Sequence, residues 1–132
     1  MPTLLVVDDD VHQLKLLHQV FTSQGNFSVS VFESAADALR SAEKQQYDVV
    51  ISDLKMPEID GVTFLSRMKK LQPQASRIMM SAHCDRQALY GAINVAHADR
   101  FLEKPCSFHA VIQVVDEVLR DKQEQAELLM EP

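Results

Sequence analysis

Several polar side chains stand directly after apolar runs of the chain, and their types suit chemistry with a phosphoryl group and a divalent cation. They are three successive acids, a later acid, a hydroxyl and an amine: Asp8, Asp9, Asp10, Asp53, Ser81 and Lys104. Carboxylate oxygens without grouped His or Cys favour Mg²⁺ or Mn²⁺, and lysine offers a mobile charge for phosphate oxygens. If the apolar runs are parallel strands, their carboxyl ends share one edge, and these groups converge there.

Hydrophobic periodicity predicts the elements that would position these groups. Continuous or alternating apolar runs predict strands at 4–7, 27–32, 47–52, 77–80 and 100–103. Apolar residues at helical spacing predict a helix after each strand, at 11 to the Gly25-Asn26 stop, 35–45, 62–71, about 85–95, and after Ser107. Strand and helix alternate five times, so we predict an α/β domain, (βα)₅, with a doubly wound parallel sheet.

Length and composition place the chain among ordinary soluble domains. With 132 residues and a formal net charge of −6, it is long enough for one core and lacks the basic face of a general nucleic-acid binder. Cys84 and Cys106 have no zinc or disulfide-framework spacing, which fits a reducing compartment. The first apolar run is too short for a signal peptide or a membrane span, so we expect a cytoplasmic protein without membrane association.

The order, spacing and hydrophobic context of these residues resemble the receiver domain of two-component response regulators. The resemblance covers residues 3 to about 121, and Met56-Pro57, Asp60-Gly61 and Lys104-Pro105 belong to it. It implies a flavodoxin-like five-stranded sheet with strand order 2-1-3-4-5. We accordingly expect a receiver domain at 1–121. Residues 122–132 would then be an extension of the last helix, a frayed tail, or the start of a connection to a further domain.

The resemblance also implies roles for the acids. Asp53 would accept a phosphoryl group from a phosphohistidine of a sensor histidine kinase or a histidine phosphotransfer protein. Asp9 would bind Mg²⁺ (or Mn²⁺) directly, Asp8 mainly through water, and Asp53 and the backbone carbonyl of Lys55 would complete the ligands. Three clustered carboxylates repel one another, so a cation among them would relieve their charge.

A second group of residues would sense the phosphoryl group. Ser81 and Lys104 match the hydroxyl and the lysine that contact its oxygens, and Phe101 matches the aromatic switch residue. Pro105 matches a proline that often follows a cis bond. The resemblance implies that the surface of the fourth helix, fifth strand and fifth helix then changes. This surface would control a downstream protein or a missing output domain, and it is a candidate for homodimer formation. The chain would be a switch and not a turnover enzyme.

Three positions depart from the family pattern or border the site. Ala96 stands where many receivers carry glycine, which predicts an altered loop before the fifth strand. Lys55 and His83 follow Asp53 and Ser81 at a distance of two residues. We expect both to tune how long an aspartyl phosphate persists.

Two other functions share parts of this residue pattern. A phosphohydrolase of the haloacid-dehalogenase type would use Asp8 as nucleophile and Asp10 as acid and base, but it expects Thr or Val where His12 stands and leaves Asp53 without a role. A receiver fold could also serve as an interaction module that is never phosphorylated, although its site residues are intact.

Overall fold

A computed structural model describes residues 1–82 and 86–130, apart from the side chains of residues 86 and 88. Five strands alternate with five helices along this part of the chain. The strands are β1 (Thr3–Val7), β2 (Ser28–Phe32), β3 (Val49–Asp53), β4 (Ser76–Ser81) and β5 (Arg100–Glu103). The helices are α1 (Val11–Ser23), α2 (Ala35–Ala42), α3 (Gly61–Leu71), α4 (Arg86–Asn94) and α5 (Phe108–Met130).

The strands form one parallel sheet in the order β2-β1-β3-β4-β5, which confirms the predicted fold class and strand order. β1, β3 and β4 are almost wholly buried, as their continuous apolar runs predicted for central strands. β2 and β5 are only partly buried because they lie at the two edges. β2 and β3 lie on opposite sides of β1, so β1 and β3 are neighbours in the sheet.

Two cores lie on the two faces of the sheet, and alternate residues of each central strand contribute to them. On β1, Leu5 and Val7 pack with α2, α3 and α4, whereas Leu4 and Val6 pack with α1 and α5. Burial on both faces stabilises the central strands and fixes their register, because a slip by one residue would exchange the two sets. The carboxyl ends of β1, β3 and β4 are thereby held at one edge.

The last helix is continuous over 23 residues, from Phe108 to Met130. Ser107 caps its first turn, since the Ala110 N–H donates to the Ser107 hydroxyl over 3.1 Å. Beyond the core-facing Val118, Lys122 donates from Nζ to the backbone oxygen of Asp48 over 3.2 Å. Of the alternatives for residues after 121, the structure therefore has a helical extension as far as Met130.

The turn between α4 and β5 differs from the sequence-based expectation. Ala96 is fully buried, and the residue with a left-handed backbone is its neighbour His97, at φ 50°. Glycine is favoured in that conformation, and a non-glycine residue costs roughly 1 kcal/mol there. The conformational preference for glycine in this turn therefore lies at His97, one residue after the position that the resemblance singled out, and the effect of Ala96 on the loop stays a prediction.

None of the helices in the described part of the chain combines the length and the apolar composition that crossing a bilayer requires.

Candidate functional site

Three carboxylates meet where β1 and β3 end. One oxygen each of Asp8, Asp9 and Asp53 lies within 4.8 Å of the others. Asp8 and Asp9 follow the last residue of β1, and Asp53 is the last residue of its neighbour β3, so strand pairing alone brings them together. The set offers only oxygen donors, which are the ligands that Mg²⁺ and Mn²⁺ prefer. These residues therefore fit a hard divalent cation.

Lys104, which follows β5, bridges two of these acids. Its Nζ lies 3.0 Å from Asp8 Oδ2 and 3.3 Å from Asp53 Oδ1. The side chains of Asp8 and Asp53 are only 3% and 13% exposed, so both charges are largely shielded from water. One ammonium cannot neutralise three carboxylates, and the cluster keeps a surplus of negative charge that a divalent cation would balance.

Burial and the neighbouring charges shift the pKa values of Asp53 and Lys104. Burial and the charge of Asp8 raise the pKa of Asp53 above its ordinary value, although Lys104 opposes the rise. Burial alone would lower the pKa of Lys104, but its hydrogen bond to Asp8 and the charges of Asp8 and Asp53 raise it overall. The ammonium is therefore held in its charged form, while ionised Asp53 is poorly balanced.

Asp10 has a different role from the two acids before it. Its carboxylate accepts from the backbone N–H groups of His12 and Gln13 over 3.0 and 3.2 Å, and thus caps α1. The Asp10 N–H in turn donates to Asp8 Oδ1 over 3.0 Å. The start of α1 thus orients Asp8, and the Asp10 carboxylate is engaged in capping the helix.

Gly61, where α3 begins, allows the start of this helix to pack closely against the backbone of Asp53 and Leu54. A Cβ at this position would lie 2.3 Å from the Asp53 carbonyl oxygen and 2.9 Å from Leu54 Cα. The Gly61 N–H donates to the Leu54 oxygen over 2.7 Å, and Asp60 caps the helix through the Thr63 N–H. The sequence identified Asp60-Gly61 as a family landmark, but only the structure shows that the α3 terminus packs directly against the backbone of Asp53 and Leu54.

The remaining predicted site residues lie around this cluster. Ser81 ends β4 and is buried, and its carbonyl accepts from the Lys104 N–H over 2.6 Å. The Lys104-Pro105 peptide bond is cis. Lys55 is exposed and, with Asp9, borders a solvent-open groove of about 690 Å³.

Phe101 is half-buried and packs against the core cluster shared by α2, α3 and α4. It pairs in register with Met79 of β4, two residues before Ser81. The switch role of Phe101 stays a prediction, and His83 lies outside the described residues.

Comparison with known proteins identifies relatives of this arrangement. A family model described as the response regulator receiver domain matches residues 4–116. The transcriptional regulatory protein GlrR of Escherichia coli K12 is 39% identical over 116 residues, which are 88% of this chain and 26% of GlrR. The chemotaxis protein CheY of Bacillus subtilis is 29% identical over 88% of this chain and 96% of CheY. The chain thus spans about a quarter of GlrR and nearly the whole of CheY.

Solved structures show the same fold. The signal receiver domain of an HD domain-containing protein from Pseudomonas fluorescens Pf-5 superposes with a TM-score of 0.87 at 27% identity, covering 93% of this chain and 98% of that one. A CheY-like receiver domain protein from Methanospirillum hungatei JF-1 gives a TM-score of 0.90 at 23% identity, covering 95% and 98%. With the family match over most of its length, the chain belongs to the response regulator receiver domain family.

Proposed function

We propose that this receiver domain accepts a phosphoryl group on Asp53, in the presence of Mg²⁺, from a phosphohistidine of a histidine kinase or phosphotransfer protein. The observation that carries the proposal is the convergence of three carboxylates and one ammonium at the strand ends. Asp53 is the member that Lys104 contacts at the end of a strand and beside a solvent-open groove. The groove is lined by Leu54 and Lys55, the two residues after Asp53, and would give an incoming donor access from that side.

The chain supplies positioning and charge, which are the main demands of phosphoryl transfer. Asp8, Asp9, Asp53 and the Lys55 carbonyl would hold Mg²⁺, which neutralises charge on the phosphoryl oxygens. A carboxylate oxygen of Asp53 attacks phosphorus, the bond from phosphorus to the donor imidazole breaks, and its electron pair stays on the imidazole nitrogen. Lys104 binds a phosphoryl oxygen, and the Ser81 hydroxyl donates to another.

The new phosphoryl group changes the contacts of Lys104. Phosphorylation adds a charge of about −1.5 to −2 next to an ammonium that otherwise bridges Asp8 and Asp53. Movement of Lys104 is coupled to β4 through its backbone bond to the Ser81 carbonyl, and to β5 through Phe101, three residues earlier. A shift of the ends of these strands would alter the surface of α4, β5 and α5. In this way a local change of charge would bias a two-state element.

We further propose that the altered surface controls a downstream protein or an output domain, and that it can also serve as a homodimer interface. GlrR, of which this chain spans about a quarter, carries the name of a transcriptional regulatory protein. A switch of this kind needs no catalytic turnover and no direct contact with nucleic acid. Its phosphohistidine donors, and two cysteines without the spacing of a disulfide framework, suit a cytoplasmic location.

The decisive test is incubation with phosphoramidate or acetyl phosphate and Mg²⁺, followed by intact mass and a phosphate-affinity gel. We expect the mass of one phosphate to be added, and the addition to fail in Asp53→Asn and in EDTA. Asp37→Asn, which removes an exposed acid on α2, should be modified normally. An unmodified native protein would support the phosphorylation-independent module. Phosphomonoester turnover that survives Asp53→Asn and is lost in Asp8→Asn would support the hydrolase.

A further inference from the structure

A buried arginine holds the turn that joins α4 to β5, at the end of the sheet opposite to Asp53. Arg77 is the second residue of β4, and its whole residue is only 7% exposed. Arginine is almost never buried without partners, because removing its charge from water is costly. The partners of this guanidinium therefore show what the residue does.

The guanidinium binds backbone carbonyls of the turn and of the residue that precedes β4. Nε donates to the Ala96 oxygen over 3.1 Å and to the His97 oxygen over 3.3 Å, and Nη2 donates to the His97 oxygen over 3.1 Å. Nη1 donates to the Ala75 oxygen over 2.9 Å. The carbonyls of Ala96 and His97 follow the carboxyl end of α4, where the helix dipole is negative and a cation is favoured.

The backbone of Arg77 reinforces this contact. Its N–H donates to Asp99 Oδ2 over 2.8 Å, and its carbonyl accepts from the Asp99 N–H over 2.7 Å. One residue of β4 thus forms hydrogen bonds with three residues of the turn, Ala96, His97 and Asp99. The ion pairs of the described residues do not include Arg77, so carbonyl dipoles, and not a carboxylate, hold its guanidinium.

The turn depends on such an external partner. It contains the left-handed His97, and its remaining bonds come back to the last turns of α4, where the Ala98 N–H donates to the Ala92 oxygen over 2.7 Å. Immediately after it, Arg100 begins β5 and Phe101 enters the core. The position of this turn therefore determines where α4 ends and where the backbone of β5 places Phe101.

We propose that Arg77 is a positioning residue that fixes the α4–β5 turn, so that the response to phosphorylation is confined to the Ser81 end of α4. The contacts between Arg77 and the turn, here called the clamp, do not depend on the proposed function. Their effect on the response to phosphorylation does. In this arrangement the turn is a fixed end. Phe101 can change its side-chain position without a displacement of the backbone that leads into it.

The test is residue-resolved amide hydrogen exchange on the full chain, in Mg²⁺ with and without beryllofluoride as the phosphoryl analogue. In the native protein we expect the Ala98 and Asp99 amides to exchange at the same rate in both states, while amides near Ser81 change. In Arg77→Met we expect both turn amides to exchange at least about tenfold faster, because buried carbonyls lose their donor. Their exchange should also become sensitive to beryllofluoride.

Two further variants separate a clamp from a general loss of stability. Arg77→Lys keeps the charge but cannot reach all three carbonyl oxygens from one nitrogen, so we expect a partial effect on the same amides. Arg100→Met removes the neighbouring arginine, which pairs with Asp121 in solvent and touches the turn only at the Asp99 carbonyl. We expect it to leave exchange of the turn amides unchanged.

Distinct outcomes decide the proposal. It is overturned if native turn amides respond to beryllofluoride as strongly as those near Ser81, or if Arg77→Met leaves them unchanged. Should Arg77→Met unfold, native exchange with and without beryllofluoride and the exchange of Arg77→Lys still decide the proposal. Uniformly faster amide exchange across all strands of Arg77→Lys would also contradict a local clamp. If beryllofluoride protects no amide around Asp53, the proposed function fails. The clamp is then tested by comparing the exchange of the turn amides in the native protein and in Arg77→Met without beryllofluoride.

Discussion

Replacement of Lys104 by methionine tests the electrostatic account of the site most directly. Lys104→Met keeps a flexible side chain of similar length but removes the ammonium that lies 3.0 Å from Asp8 and 3.3 Å from Asp53. Both carboxylates are largely shielded from water, and Asp8 is only 3% exposed. The variant therefore leaves two acids close together without their shared cation.

The magnitude follows from those distances. With an effective dielectric constant of about 20, a unit charge 3.0 Å away contributes roughly 5.5 kcal/mol of attraction and one 3.3 Å away roughly 5.0 kcal/mol. The cost of removing the three groups from water offsets most of this sum. Loss of one partner from such a pair still costs about 3 kcal/mol, because the remaining charge is buried and unbalanced. We expect that loss in the free energy of unfolding at pH 7 in EDTA.

Urea unfolding at several pH values measures this prediction. The pKa of Asp53 is already raised, and loss of Lys104 removes the charge that opposes this rise. Asp53 should therefore take up its proton at a higher pH in the variant than in the native protein. The destabilisation should therefore shrink toward acidic pH, and Mg²⁺ at ten times its dissociation constant should restore about 1.4 kcal/mol at pH 7. Lys55→Met removes an exposed cation nearby and should change stability by less than about 0.5 kcal/mol. A loss in Lys104→Met below about 1 kcal/mol, or one independent of pH, would refute the reasoning.

Three further predictions follow from the site and its support. Ionised Asp53 opposes folding above its raised pKa, and this cost vanishes as the pH falls below the ordinary value of 3.8, so Asp53→Asn in EDTA should raise urea stability at pH 7 but not at pH 3. An unchanged difference across that range would contradict this sign. Gly61→Ala should lower stability by about 3 kcal/mol or more, because its Cβ would lie 2.3 Å from a backbone oxygen. Gly91→Ala, whose Cβ would meet a valine side chain at 3.3 Å, is the matched control and should stay within about 1 kcal/mol of the native protein. Finally, Lys55→Ala and His83→Ala should each alter the decay rate of the phosphorylated protein in a phosphate-release assay, and unchanged rates in both would exclude a role in phosphate lifetime.

Local patterns in the sequence determined the elements and the members of the candidate site. Strand and helix periodicities are properties of neighbouring residues, so the central strands and the start of the last helix after Ser107 could be predicted without tertiary contacts. Boundaries shifted by a few residues; α2 ends at Ala42 where the pattern predicted about 45. The parallel arrangement also followed, because short connections and right-handed crossovers favour it. The strand order 2-1-3-4-5 came from the resemblance to receiver domains.

Contacts between distant parts of the chain decided the rest. Lys104 and Asp8 are separated by 96 positions, and only the assembled sheet determines that one ammonium lies between two carboxylates. The same holds for Gly61 against the Asp53 backbone and for the carbonyls that receive Arg77, which the sequence presents as an ordinary charge at the start of a strand. Sequence periodicity reports which face of an element is buried. Distances of closest approach and the balance of desolvation against charge arise only when packed elements bring those faces together.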